Sequence, residues 1–200
     1  MADDTLQTQT IDPLEARVVV FRQQPDARGF AELRQELRDA GRGELLADVC
    51  ATWAPHERDP IRAADAWSEA GEAMVVLGEA ETAVEYLQQA IDLDPTNDRA
   101  IDRLLEIVEP GDPAAAAEVI EHELADLAQL FDPARRRPGL DAGRRKADVI
   151  ARRAAQYRRA AGLWDQVGRV DRALWHYQQA WRFSVQTACR STRTAVSTSI

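Results

Sequence analysis

The sequence predicts an all-α fold, an antiparallel helix-pair solenoid of about four irregular repeats. Ala, Leu, Arg, Glu and Gln are abundant, and all five are good helix formers. Strand-like runs are confined to Val18–Phe21 and the last few residues. Between Ala64 and Pro95, small, aromatic and proline residues fall at the spacing of two short packed helices; they are Trp67, Gly71, Gly78, Ala83, Leu87, Ala90 and Pro95. One such pair cannot bury its own apolar face, so further pairs are expected beside it.

The N-terminal part of the chain predicts one lone helix. Residues 1–10 are polar and acidic and are expected to be disordered. Ile11–Gln24 follows as a helix, because Asp12 can cap it and Pro13 suits the first helical position. Pro25 ends this helix, and the repeat domain is expected to extend over residues 11–183.

A degenerate first repeat is predicted over residues 27–53. Its apolar side chains keep helical spacing on either side of a break at Gly41 and Gly43; they are Phe30, Leu33, Leu37, Leu46, Cys50 and Trp53. Arg34 stands at the position that Gly71 occupies in the next repeat. A connector with Pro55 and Pro60 separates the two repeats.

The best repeat spans residues 64–95. Its first helix is expected over Ile61–Leu77 and its second over Ala80–Leu93. Gly71 and Ala83 would let the two backbones approach closely, and Pro95 would end the second helix.

Two further repeats are predicted over residues 98–131 and 154–183. In the third, Glu121 stands where a large apolar residue is expected. Residues 132–143 are rich in Pro, Gly and Arg and predict a solvated loop. In the fourth, Tyr157, Trp164 and Tyr177 take core positions. Residues 184–200 are rich in Ser and Thr and are expected to form an irregular tail.

These spacings resemble the tetratricopeptide repeat (TPR), a unit of about 34 residues, from Ala27 to Phe183. The resemblance implies that the first helices of successive units line a concave groove for a peptide or helix of a partner protein. The implied groove positions are Arg38, Asp65, Ser68, Glu72, Val75, Arg99, Asp102 and Arg158. Their acidic middle favours a cationic or amphipathic partner. The subtype that grips a carboxylate through lysines and asparagines is excluded, because Lys146 is the only lysine and Asn97 the only asparagine.

No pattern in the sequence predicts catalysis, a cofactor or a metal. Glycine-rich phosphate loops are missing. Glu118, His122, Glu123 and Asp126 could ligate a metal weakly, but a solvated helix face is the favoured interpretation. The two cysteines, Cys50 and Cys189, are far apart and predict no disulfide. No stretch approaches the roughly 20 apolar residues that span a bilayer, so we expect a cytoplasmic protein that does not enter membranes.

The charge distribution leaves two alternatives to a protein–protein interaction scaffold. Residues 1–131 hold 29 acidic and 10 basic residues, whereas residues 132–200 hold 5 and 15. Arg145, Arg152 and Arg159 would form one stripe, and with the freer Trp175 and Trp181 they suggest nucleic-acid binding. A solvated face is the favoured interpretation of this stripe. Opposite charge in the two halves also suggests a homo-oligomer, joined through the lone helix and the final repeat.

Overall fold

The computed structural model describes residues 12–130 and 146–197, and the side chains of residues 12–128 and 151–185. The described part contains helices and no strand. They are α1 (Pro13–Gln23), α2 (Ala27–Asp39), α3 (Gly43–Trp53), α4 (Pro60–Leu77), α5 (Ala80–Leu93), α6 (Asp98–Val108), α7 (Pro113–Leu130), α8 (Lys146–Gln166) and α9 (Val170–Ser197), with a 3-10 turn at Ala54–His56.

The helices form antiparallel pairs in chain order: α2/α3, α4/α5, α6/α7 and α8/α9. Each helix packs on the next along the chain, within pairs and between them. The predicted all-α helix-pair solenoid with TPR-like units is therefore confirmed. Three of the four turns within pairs contain a glycine with positive φ, at Gly41, Gly78 and Gly168. A side chain would be strained in that conformation, so these glycines allow the tight reversals.

Short polar side chains set the helix starts. Asp12 Oδ1 accepts a hydrogen bond from Leu14 N at 3.0 Å, and Pro13 occupies the first turn of α1. Asp26 caps α2 by accepting from Gly29 N at 2.8 Å. Asp59 caps α4 in the same way, accepting from Ile61 N at 3.0 Å. Each cap satisfies a backbone N–H that the first helical turn leaves without a partner.

The buried side chains form two clusters that meet at α4. The N-terminal cluster holds residues of α1 to α4, including Leu37 and Cys50. The C-terminal cluster joins α4 to α9 and includes Leu87 and Ile101. Trp67 packs against both clusters. The core is therefore continuous along the array rather than central, as expected for a solenoid.

Helices α4 and α5 approach each other closely at Gly71. A Cβ added at Gly71 would lie 2.7 Å from Leu87 Cγ and 3.3 Å from the Ala83 carbonyl oxygen. Ala83 and Leu87 are themselves fully buried. Trp67 and Tyr86 close the side of this contact, with ring centroids 5.2 Å apart. The glycine is thus required here for space.

The predicted irregular tail is wrong for residues 184–197. Helix α9 continues without a break through Ser197. Ser and Thr lower helix propensity by only a fraction of a kcal/mol each, and neither Gly nor Pro interrupts this segment. The predicted disordered N-terminus at residues 1–10 and the predicted loop at residues 132–143 lie outside the described residues.

Candidate functional site

The turn between α5 and α6 is buried, and it is hydrogen-bonded to Ser68 of α4, one of the predicted groove residues. Asp94 Oδ1 accepts from Thr96 N at 2.9 Å. Asn97 caps α6 by accepting from Ala100 N at 3.1 Å, and its Nδ2 donates to Ser68 Oγ of α4 at 2.9 Å. Ser68 is buried. Its predicted role in a groove is therefore wrong, because it ties the start of the third unit to the second.

Arg38 of α2 is also engaged within the chain. Glu69 of α4 is buried, and its Oε1 accepts from Arg38 Nε at 3.0 Å. Its other oxygen pairs with Arg34. Two guanidiniums thus compensate one buried carboxylate, and Arg34, which stands at the glycine position of the repeat pattern, has a structural role.

The same arrangement recurs between later units. Both carboxylate oxygens of Glu72 on α4 accept from Arg99 on α6, one from Nε and the other from Nη2. Asp102 of α6 lies 3.6 Å from Arg159 Nη1 on α8. We call these contacts, with Arg38–Glu69, the inter-unit ion pairs. Five of the eight predicted groove residues take part in contacts between units, by ion pairs or, for Ser68, by a hydrogen bond; they are Arg38, Ser68, Glu72, Arg99 and Asp102.

The other three predicted groove residues are not brought together. Asp65 is exposed on α4 and has no hydrogen bond or ion pair among the described residues. Partial burial of its carboxyl, and then the negative charge of Asp94, raise its pKa. Val75 is half-buried near the end of α4. Arg158 is exposed on α8, and its Nε donates to the Ala154 carbonyl of its own helix at 3.2 Å.

The arginine stripe of α8 faces the protein rather than solvent, so its prediction as an outer face is wrong. Arg152 Nε donates to Glu123 Oε1 at 2.8 Å, and Arg152 also pairs with Asp98. Arg159 Nη2 donates to Glu109 Oε2 at 2.7 Å. Arg145 lies outside the described residues.

Glu123 is fully buried, which contradicts the predicted solvated face at this residue, whereas Glu118 and His122 are exposed as predicted. Burial raises the pKa of the Glu123 carboxyl to about 8 and lowers the pKa of the Arg152 guanidinium to about 10. No cluster of metal-ligating side chains occurs among the described residues. Glu123 therefore belongs to the packing of α7 on α8.

The fourth unit departs from the predicted repeat pattern at one core position of α9. Glu121 of α7, the predicted anomaly, accepts from Trp164 Nε1 at 2.8 Å and from His176 Nε2 at 2.7 Å. His176 is 1 % exposed, whereas Tyr177, predicted as core, is 47 % exposed. Ala173 and Ala180 are buried as predicted, and His176 rather than Tyr177 takes the core position between them, because Glu121 gives the histidine a polar partner inside the core.

The remaining aromatic side chains match the sequence prediction. Trp164 is buried, and the Arg172 guanidinium lies 4.4 Å from its ring centroid. Trp175 and Trp181 are 51 % and 68 % exposed, as expected for the freer pair. None of the described helices is long and apolar enough to cross a membrane.

Comparison with known proteins returns structures alone. No protein-family model and no curated protein matches the chain. One crystal structure of MamA is 17% identical over 88% of this chain and 88% of its own, with a TM-score of 0.49. A second is 18% identical over 88% of this chain and 82% of its own, also with a TM-score of 0.49. A kinesin light chain from Podosopora anserina with nearly identical TPR-like repeats is 18% identical over 87% of this chain and 85% of its own, with a TM-score of 0.47.

The inter-unit ion pairs are the feature that sequence reasoning missed, although the sequence contains a signal for them. A shift of about 34 residues aligns Arg38 with Glu72 and Asp65 with Arg99. Opposite charges thus recur at equivalent positions of successive first helices, although the aligned residues do not pair with each other: Arg38 pairs with Glu69, and Arg99 pairs with Glu72. The sequence gives a weaker indication of the role of Glu121 in the core, since a carboxylate stands at a position where an apolar residue is expected.

Proposed function

We propose that this chain is a non-catalytic scaffold that binds a peptide or helix of a partner protein along the first helices of its units. The observation that carries the proposal is Asp65, an exposed carboxylate on α4 with no ion pair among the described residues, whereas Glu69 and Glu72 on the same helix are both paired with arginines. An interaction surface needs groups that the fold itself leaves uncompensated. The repeat architecture supplies the extended surface on which they lie.

The chemistry of Asp65 favours a cationic partner segment. Its pKa is raised by partial burial and by the negative charge of Asp94. A lysine or arginine placed beside it would lower that electrostatic cost. Glu72 is a weaker candidate because Arg99 already pairs with it.

A pair of designed amphipathic peptides tests this proposal. One carries lysine on its polar face and the other glutamate, and fluorescence anisotropy measures the binding of each. We expect the lysine peptide to bind more tightly and to lose affinity about tenfold with Asp65→Arg. Glu81→Arg, an exposed reversal at the start of α5, is the matched control and should leave binding unchanged. Equal binding of both peptides, or no loss with Asp65→Arg, would contradict the proposal.

The arginine stripe that suggested nucleic-acid binding is engaged within the chain. Arg152 and Arg159 are directed at Glu123, Asp98, Glu109 and Asp102 within the chain. Phosphate binding would have to displace those carboxylates. Retention on DNA or RNA at low salt that falls steeply with added salt would restore the alternative.

Self-association is a second candidate that one observation favours. Helix α9 exposes apolar side chains at helical spacing, namely Val170, Leu174, Trp181 and Val185. α1, in the acidic half, exposes Val19 and Val20. Contact of α9 in one copy with α1 in another would pair these surfaces and join halves of opposite charge. Light scattering should then show mass that rises with concentration and falls with Trp181→Glu; a monomer at every concentration would exclude it.

A further inference from the structure

A cleft of about 560 Å³ lies among α7, α8 and α9. Tyr157 of α8 and Trp175 of α9 contribute aromatic walls. Leu124, Ala125 and Ala128 of α7 contribute an apolar side. The volume is within the range of sites that hold small organic molecules or a single large side chain.

Most charges around this cleft are already compensated. Glu121 is bonded to Trp164 and His176, and it lies 3.8 Å from Arg172 Nη1. Asp171 is exposed and lies 3.6 Å from Arg169 Nε. Among the described residues that line the cleft, no carboxylate is therefore left unpaired.

Arg153 is the exception among the cations that line the cleft. Its guanidinium lies 4.7 Å from the Phe183 ring centroid, and no carboxylate pairs with it among the described residues. Its Nε is buried and has no hydrogen-bond acceptor. A buried donor without an acceptor destabilises a structure unless a ligand supplies one.

His176 provides a second unsatisfied group in the same cleft. Its Nε2–H donates to Glu121, so a neutral ring leaves Nδ1 as an acceptor. Nδ1 is buried and has no partner. The side chain itself is almost completely buried, and it lines the cleft together with Arg153.

We propose that this cleft binds an organic carboxylate that has an aromatic body and a hydrogen-bond donor next to the carboxylate. The carboxylate accepts from Arg153, the donor group donates to His176 Nδ1, and the aromatic body lies between Trp175, Tyr157 and the apolar side of α7. Two sources share this chemistry. A free aromatic hydroxy acid has an adjacent hydroxyl, and a peptide ending in an aromatic residue has an adjacent backbone N–H.

Titration calorimetry with the full chain tests the charge requirement without any mutation. The probes are 3-phenyllactate and its methyl ester, which keeps the ring and the hydroxyl and loses the charge. We expect the acid to bind about 10- to 100-fold more tightly than the ester, as a charge-assisted hydrogen bond requires. 3-Phenylpropionate, which lacks the hydroxyl, should bind with intermediate affinity. Equal affinity of acid and ester, or no binding of either, would overturn the proposal.

Single substitutions then test whether the ligand binds in this cleft. Arg153→Gln and Trp175→Ala should each weaken binding of 3-phenyllactate about tenfold or more, while Arg153→Lys should retain part of the affinity. Arg158→Gln on the same helix is the matched control, since Arg158 is exposed and does not line the cleft. Circular dichroism of each variant verifies folding. If Arg158→Gln weakens binding as much as Arg153→Gln, the ligand is elsewhere and the assignment is wrong.

A peptide pair distinguishes the two sources of ligand. Acetyl-Ala-Phe with a free C-terminus and the same peptide as its C-terminal amide are titrated beside 3-phenyllactate. Tighter binding of the free-acid peptide than of 3-phenyllactate identifies a protein C-terminus as the source, and the reverse order identifies a small acid. The result is independent of Asp65→Arg, which alters the proposed partner surface on α4 and not this cleft.

Discussion

The second and fourth helix pairs follow the same repeat pattern and use it differently. In α4/α5, Gly71, Ala83 and Leu87 form a close contact that leaves no space for a side chain at Gly71. In α8/α9, the position of Gly71 is taken by Ala161, which is also fully buried, and the next residue, Gly162, has nothing within 4 Å of the position its Cβ would take. The fourth pair instead contains buried polar groups without partners, on Arg153 and His176.

The difference shows where the repeat pattern has predictive value. Small residues at the repeat spacing describe a helix–helix contact, and the best match to the pattern contains a close contact at Gly71. A polar residue at an apolar position, such as Glu121, changes the packing of the next unit. Departures from the pattern therefore indicate where a unit has a chemical role beyond packing.

The largest expected effect comes from filling the α4/α5 contact. Ala83→Trp should destabilise the protein by about 3 kcal/mol or more, because no space exists for an indole at a fully buried position beside Gly71. Ala80→Trp, at the exposed start of α5, is the matched control. Urea unfolding monitored by circular dichroism measures both variants. Equal stability of the two would refute the close packing of this pair.

A pair of glycine substitutions compares a closely packed position of α4 with an open position of α8. Gly71→Ala should destabilise by about 1–2 kcal/mol, since the contact with Leu87 outweighs the gain in helix propensity. Gly162→Ala should stabilise by up to about 1 kcal/mol, because its surroundings leave room for a methyl group. Thermal or urea unfolding gives the sign of each change. The same sign for both would remove the distinction between the two pairs.

The connection between units depends on Asn97. Asn97→Ala should cost roughly 1–2 kcal/mol, because the α6 cap and the hydrogen bond to Ser68 are lost together. Ser68→Ala tests the second bond alone and should cost less. A double variant with a cost equal to that of Asn97→Ala would show that the two residues act as one unit. Fully additive costs would show that Ser68 has a separate role.

The smallest effect concerns Cys50 in the N-terminal cluster. Burial raises the pKa of its thiol to about 12, so the folded protein keeps the thiol protonated at pH 8. In a Cys189→Ser background, labelling by a disulfide reagent should be slow until the cluster opens. Stability should also fall as pH rises from the unfolded pKa of about 9 towards 12, because only the unfolded state loses the proton. Rapid labelling of the folded protein would contradict this burial.

The sequence predicted the helix pairs well because their determinants are local. Asp12, Pro13 and Gly78 act on their own turns, and Gly71 and Ala83 lie within one pair. The partners of the charged residues could not be predicted in the same way. Arg152, Glu123 and His176 owe their burial to the packing of α7, α8 and α9, which depends on how neighbouring units are placed. A periodic pattern identifies a helix face, but it does not determine whether solvent or another unit covers it.

The ion pairs between first helices have a mechanical consequence. Arg99 and Asp102 are exposed, so salt screens the attraction of Glu72 for Arg99 and of Asp102 for Arg159. The apolar contacts between units are insensitive to such screening. Bending along the row of first helices should therefore become easier at high ionic strength, while the fold itself persists. The bending stiffness of the array would then depend on salt concentration.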